Sequence, residues 1–177
     1  KPAVKPGDPE PSQPLSQVAV APASISGKKI GLLTTDGVDS KLYNSVMKAA
    51  KQEGAMMEVI APHVGSIKTS SGKQIDPEHF LAGAPSVLFD CVIVAPKADN
   101  VKQLSSEAAA VNWIRDAFAH LKVIGFNDAA APLFDKAAVE TDADEGLVNV
   151  TGGDMSEFVK QAKRHSVWDR EKMVRSF

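Results

Sequence analysis

One stretch constrains this chain more than any other, residues 90–96 (DCVIVAP). It is rich in β-branched residues, apolar from Cys91 to Ala95, and bounded by Asp90 and Pro96. A strand wetted on one face alternates polar and apolar residues. An unbroken apolar run of strand length belongs instead to a strand covered on both faces, as in a parallel sheet between two layers of helix. The runs 28–34 (KKIGLLT), 55–61 (AMMEVIA), 122–126 (KVIGF) and 147–150 (LVNV) supply further strands.

Between these runs the spacing turns helical. Val38, Leu42, Val46 and Ala49/Ala50 form one stripe, opened at Asp36-Gly37 by a capping-box-like Asp36/Asp39 pair and stopped by Gly54. Ser105 caps a second helix, with Val111, Ile114, Phe118 and Leu121 as its stripe. Residues 127–138 read as helical despite Pro132, and Asp154 with Glu157 boxes a last helix through Phe158 and Ala162 to His165. Residues 64–75 alternate around Ser71-Gly72-Lys73 and predict a hairpin, and 77–81 predict one helical turn. The order β-α-β-hairpin-β-α-β-α-β-α predicts an α/β fold, a doubly wound and mainly parallel sheet flanked by helices.

Six of the eleven prolines fall in residues 1–26, which therefore read as a semi-rigid interdomain linker. The chain opens on Lys1 with no apolar h-region behind it, and reads as a piece of something longer. The body is expected over 27–166, followed by a charged C-terminal tail, 167–177. At 177 residues and 44% hydrophobic content the chain forms one domain with a core. A net charge of −2 argues against a nucleic-acid partner. No apolar run approaches the ~20 residues needed to cross a bilayer, so no membrane partner and a soluble chain are expected. The single cysteine excludes an internal disulfide and any multi-cysteine metal site, and fits either redox compartment.

In such a sheet, ligands bind beyond the carboxyl ends of the strands. After the first strand, Thr34-Thr35-Asp36-Gly37-Val38-Asp39 carries two carboxylates that repel phosphate, so helix capping is the better reading. A receiver-like acidic pocket at Asp36 and Asp99 lacks its lysine, since Thr151-Gly152-Gly153 follows the last strand. The motifs G-x-G-x-x-G, G-x-x-x-x-G-K-[ST], G-x-S-x-G and H-E-x-x-H are absent. His63 and His79 flank the hairpin and read as solvated imidazoles rather than a metal pair. Cys91, near the start of its strand, reads as an inert core thiol. The acidic 141–145 (TDADE) reads as a surface turn. Asn149-Val150-Thr151 fits a glycosylation sequon, with Asn149 poorly accessible at a strand edge.

Several segments, in order, carry a family likeness. They are the proline-rich 1–26, Lys29-Ile30-Gly31-Leu32-Leu33 with Asp36-Gly37, and Glu53-Gly54-Ala55. Phe89-Asp90-Cys91-Val92-Ile93-Val94 and Lys122-Val123-Ile124-Gly125-Phe126 follow, then Asp144-Glu145-Gly146-Leu147-Val148 and His165-Ser166-Val167-Trp168-Asp169-Arg170-Glu171. Together they resemble the class I glutamine amidotransferase-like superfamily, in its intracellular-protease and stress-chaperone branch. More narrowly, they resemble the C-terminal flavodoxin-like domain of large-subunit, fungal-type catalases.

The resemblance implies a flavodoxin-like fold and locates the family's chemistry. Active members place a cysteine on the turn after the strand at 123–126, where this chain has Asn127, followed by Asp128 where a histidine often sits. The family's glycine pair after the third strand corresponds to Lys97 and Ala98, and the acid after the first strand to Leu42. A carboxamide is no thiolate nucleophile, so the resemblance implies a degenerate site with no catalytic, cofactor or metal-binding residue in this piece. Haem, with its tyrosine ligand and distal histidine, belongs to an N-terminal domain of the parent enzyme. The only tyrosine here, Tyr43, lies on a helix without a neighbouring histidine.

Three functions follow. The first is stabilising or assembling the parent's haem tetramer, with the catalase domain and other subunits as partners. The second is chaperone-like binding of unfolded clients by Met47, Met56, Met57, Met155 and Met173, of which Met56 or Met57 is expected in the core. The alternative is a residual hydrolase or deglycase.

Overall fold

All five apolar runs form strands in the computed structural model, which describes residues 12–175 together with Ala3, Gly7 and Glu10. The strands are β1 (Lys29–Thr34), β2 (Met56–Ala61), β6 (Cys91–Ala95), β7 (Ile124–Phe126) and β8 (Leu147–Asn149), joined by the short β5 (His79–Phe80). They form one six-stranded sheet in the order β5-β2-β1-β6-β7-β8, parallel at every pairing. Without its β5 edge this is the flavodoxin order, reversing between β1 and β6. The hairpin forms a separate antiparallel pair, β3 (Ile67–Lys68) with β4 (Gln74–Ile75).

Every residue of β6 is buried. Its alternate side chains join two different cores: Cys91, Ile93 and Ala95 one, Val92 and Val94 the other. Successive strand side chains point to opposite faces, and both faces are covered, so the sequence needs no polar alternation. The first core also holds Val46 and Ala50 of α2 (Ser40–Glu53) and Phe158 of α6 (Ser156–Ala162). The second holds Leu104 of α3 (Ala98–Leu104), Trp113 and Ile114 of α4 (Ala108–Ala119), and Phe134 of α5 (Ala131–Ala137).

Local signals needed correction in several places. Asp39 alone caps α2, its Oδ1 accepting from the Leu42 N–H at 2.7 Å. Asp36 instead accepts from the Lys68 N–H at 2.8 Å and so ties the hairpin to the end of β1. Gly54 ends α2 in the left-handed region (φ 69°), as expected. Ser105 closes α3 rather than opening α4: its hydroxyl donates to the Val101 carbonyl at 2.7 Å. The helical turn expected at 77–81 is the strand β5 followed by a 3-10 turn, Leu81–Gly83. Asp154 accepts from the Ser156 N–H at 2.9 Å, but Glu157 bonds forward to Lys160 and Gln161, so no capping box forms. Helix α6 ends at Ala162, before His165.

Eight of the first eleven residues of the proposed linker lie outside the described ones, as do Ser176 and Phe177 of the tail. The rest of the linker holds a 3-10 turn (Gln13–Leu15) and α1 (Gln17–Val20), neither of which buries a residue. Ile25, by contrast, belongs to the first core. In the segment read as a charged tail, Val167 and Arg170 are buried, and α7 (Glu171–Val174) follows them.

Candidate functional site

The carboxyl ends of β1, β6, β7 and β8 are tied by side chains. The Thr34 hydroxyl donates to the Ala95 carbonyl (2.6 Å), and the Lys97 N–H donates to the Thr35 hydroxyl (2.9 Å). Asn127, immediately after β7, donates its backbone N–H to the Val94 carbonyl (3.1 Å) and its amide Nδ2 to the Pro96 carbonyl (3.0 Å). Its Oδ1 is buried without a hydrogen-bond partner among the described residues. With φ −98° and ψ 162° the Asn127 backbone is ordinary extended chain and stores no strain.

Asp128 is engaged on both sides. Its N–H donates to the Thr151 hydroxyl (2.8 Å), and its carboxylate accepts from Asn149 Nδ2 (2.6 Å). Lys97 reaches Asp99 at 2.7 Å on the surface. Their hydrogen bond and then their mutual charge hold the Asp99 carboxyl below its usual range and push the Lys97 ammonium up. The Lys97 stem lies over Gly37, where a Cβ would come 2.6 Å from Lys97 Cδ; the φ of +80° there also favours glycine. The structure therefore brings Asn127 beside the 96–98 turn, with Asp128 next to it. Leu42 is elsewhere, buried within the first core.

The remaining candidates are also accounted for. Cys91 begins β6, at the opposite end of the sheet, and is buried. Burial, reinforced by Asp90 and opposed by Lys122 and Lys28, pushes its thiol up to about 12, which leaves no thiolate at neutral pH. His63 and His79 have different acidic neighbours. His79 Nε2 lies 2.8 Å from Glu58, while His63 Nε2 is 4.0 Å from Glu107. No group of three or more His, Cys, Asp or Glu could hold a metal ion among the described residues. Asn149 is exposed, and its side-chain Oδ1 accepts from the Thr151 N–H at 2.8 Å.

Sequence reasoning missed a cavity of about 310 Å³ beside this region. It lies between the carboxyl ends of β1 and β2 and helix α3, with Asp36, His63, Asn100, Gln103 and Glu107 among its lining residues. The i, i+3 spacing of Asn100 and Gln103 becomes a signal only once 98–104 is known to be a helix; it then puts both side chains on one face.

The model of the C-terminal domain found in long catalases matches residues 26–172. The chain belongs to that family. Catalase C of Rhizobium meliloti is 38% identical over 169 residues, 95% of this chain and 24% of that protein. Catalase HPII of Pseudomonas aeruginosa is 30% identical over 92% of the chain, and catalase-1 of Neurospora crassa 28% over 89%. The chain spans about a quarter of the length of these catalases, 24%, 23% and 25% respectively. Among solved structures, a ThiJ/PfpI domain protein from Brachyspira murdochii superposes with a TM-score of 0.61 at 12% identity, covering 81% of this chain and 98% of that one. A two-domain protein from Anabaena variabilis, with DJ-1/ThiJ/PfpI-like and ferritin-like domains, gives 0.56 at 15% identity over 62% of this chain and 33% of its own. At these identities the likeness is one of fold. This catalase C-terminal domain is thus a parallel α/β domain of DJ-1/ThiJ/PfpI type.

Proposed function

We propose that this domain is a non-catalytic part of a long haem catalase and stabilises the assembled enzyme, with the catalase domain and neighbouring subunits as its partners. The observation that carries the reading is Asn127. Where relatives of the superfamily would present a thiol on a strained turn, this chain has a carboxamide bonded to the Pro96 carbonyl on relaxed backbone. Lys97 and Ala98 replace the glycine pair, and Leu42 is a core residue.

Haem itself does not fit the residues present. Tyr43 is packed in the first core, where burial and then the Glu78 charge push its phenol up, away from the phenolate a haem iron binds. We therefore place the haem, and with it peroxide decomposition, in the rest of the parent enzyme.

The test compares the full-length parent with a version ending before residue 27. Equal peroxide turnover per haem, with faster thermal inactivation and a tetramer that dissociates on dilution, is expected. Turnover that falls while the tetramer stays intact would count against a purely stabilising role.

A chaperone-like role is a second reading, favoured by exposed Met47, Met56, Met173 and Phe80, each more than two-fifths exposed. It requires the chain to suppress aggregation of a heated client near equimolar ratio, better than an inert protein of similar size. The residual hydrolase or deglycase reading makes the opposite demand, a measurable esterase or deglycase turnover that Cys91→Ser abolishes.

A further inference from the structure

We propose that the cavity between β1, β2 and α3 is a binding site for a small organic amine, a cationic head carried on a short apolar body. The site involves neither Asn127 nor haem, and it stands independently of the stabilising role.

Its position is the first argument. In open α/β sheets, ligands bind outside the carboxyl ends of the strands, and the cavity lies at those of β1 and β2. Its volume of about 310 Å³ falls at the small end of ligand pockets, which run from about 300 to 1,000 Å³.

The chemistry of the lining is the second. Its lining carries the carboxylates of Asp36 and Glu107 and no lysine or arginine; the one other titratable group there is the His63 imidazole. Asp36 is fixed before any ligand arrives, since its Oδ1 accepts from the Lys68 N–H at 2.8 Å. Asn100 donates its amide to the Asp36 carbonyl at 2.8 Å, which leaves Asn100 Oδ1 free to accept. Asp36 Oδ2 and Asn100 Oδ1 have no hydrogen-bond partner among the described residues. His63 is the nearest imidazole to Glu107, and at 4.0 Å it is beyond hydrogen-bond reach. The unspent groups are thus acceptors on a held frame. An anion would face two carboxylates, whereas an ammonium has three donors to offer. The Lys97 ammonium bonds Asp99 at 2.7 Å, with the Asp36 charge a lesser influence on it, and it does not line the cavity. Pro62, Ile67 and Leu104 supply the apolar wall against which a short alkyl chain packs.

The experiment is an amide-resolved NMR titration of the 177-residue chain. Its probes are n-butylammonium, with n-butanol and n-butyrate as neutral and anionic controls of equal length. The expected result is saturable shifts at Thr35, Asn100 and Gln103, in the millimolar range, for the ammonium alone. Glu107→Gln should weaken binding roughly tenfold, the loss of one charge-assisted contact. Gln103→Glu should tighten it, and Lys160→Gln, away from the cavity, should leave it unchanged. Shifts that do not saturate, equal binding of butanol, or a Gln103→Glu variant that binds more weakly would each overturn the proposal.

Discussion

Burying a guanidinium costs several kcal/mol unless its donors are met, and at Arg170 they are. Nε and Nη2 hold the two Asp144 oxygens at 2.6 and 2.8 Å, Nη1 donates to the Lys122 carbonyl at 2.8 Å, and the Phe118 ring lies 4.2 Å from the guanidinium carbon. Burial pushes the Asp144 carboxyl up. Arg170's hydrogen bonds and charge, the Gly146 N–H and the Arg164 charge outweigh it and hold the group below its usual range. Removing one partner leaves the other charge buried and alone, so Arg170→Ala should cost about 3–5 kcal/mol in urea unfolding at neutral pH. Folded Asp144 binds its proton less tightly than the unfolded chain does. Its contribution is therefore complete above the unfolded value of about 3.9, and is lost as pH falls through the lower folded value. Asp144→Asn should be less stable at neutral pH and flatter in its acid-side decline; an unchanged pH profile would contradict the assignment. At Cys91 the expectation is kinetic. With its thiol pushed up to about 12, it should resist a disulfide reagent at pH 8 in the folded chain and react promptly once unfolded in denaturant.

At the level of elements, one close join is between β1 and the segment leading into β6. A Cβ on Gly31 would come 2.6 Å from the Phe89 ring, and Phe89 is itself wedged against Trp113 at 6.2 Å between centroids. Gly31→Ala should lower stability by about 1–3 kcal/mol through overpacking, read as a lower thermal midpoint. This region also shows which elements the sequence could announce. β6 was legible because five buried residues in a row admit one explanation. Helix α3 was not, because only Val101 and Leu104 of its seven residues are buried, too few for a stripe. Ser105 misled because its hydroxyl serves the carbonyl behind it as readily as the amides ahead. β5 pairs only two residues with β2, too short for any pattern of period two.

Across the whole molecule, the same limits divide the site. Asn127 could be located from the sequence because it follows a legible strand. The cavity beside it could not, because one wall is α3 and another is the hairpin that Asp36 holds in place. Charge likewise concealed the docking of residues 167–170, since sequence alone does not show that Arg170 has Asp144 opposite it. Deleting 167–177 should therefore cost more stability than Arg170→Ala alone, because Val167 leaves the core as well; equal losses would mean that Val167 contributes little.

The two margins of the body also meet at one pole. His165 Nε2 lies 2.6 Å from the Pro22 carbonyl, and the Val167 N–H donates to the Leu121 carbonyl at 2.8 Å. Tension applied between these margins would load the imidazole contact, the docked 167–170 segment and, behind Pro22, the buried Ile25 and the Gly27 N–H donated to the Gly54 carbonyl. β1 begins two residues after Gly27, so the sheet comes next in that line of force, held by its ladders to β2 and β6 on either side. Under load the domain should yield first by peeling at Val167 and Arg170, one contact at a time, with its six strands still paired.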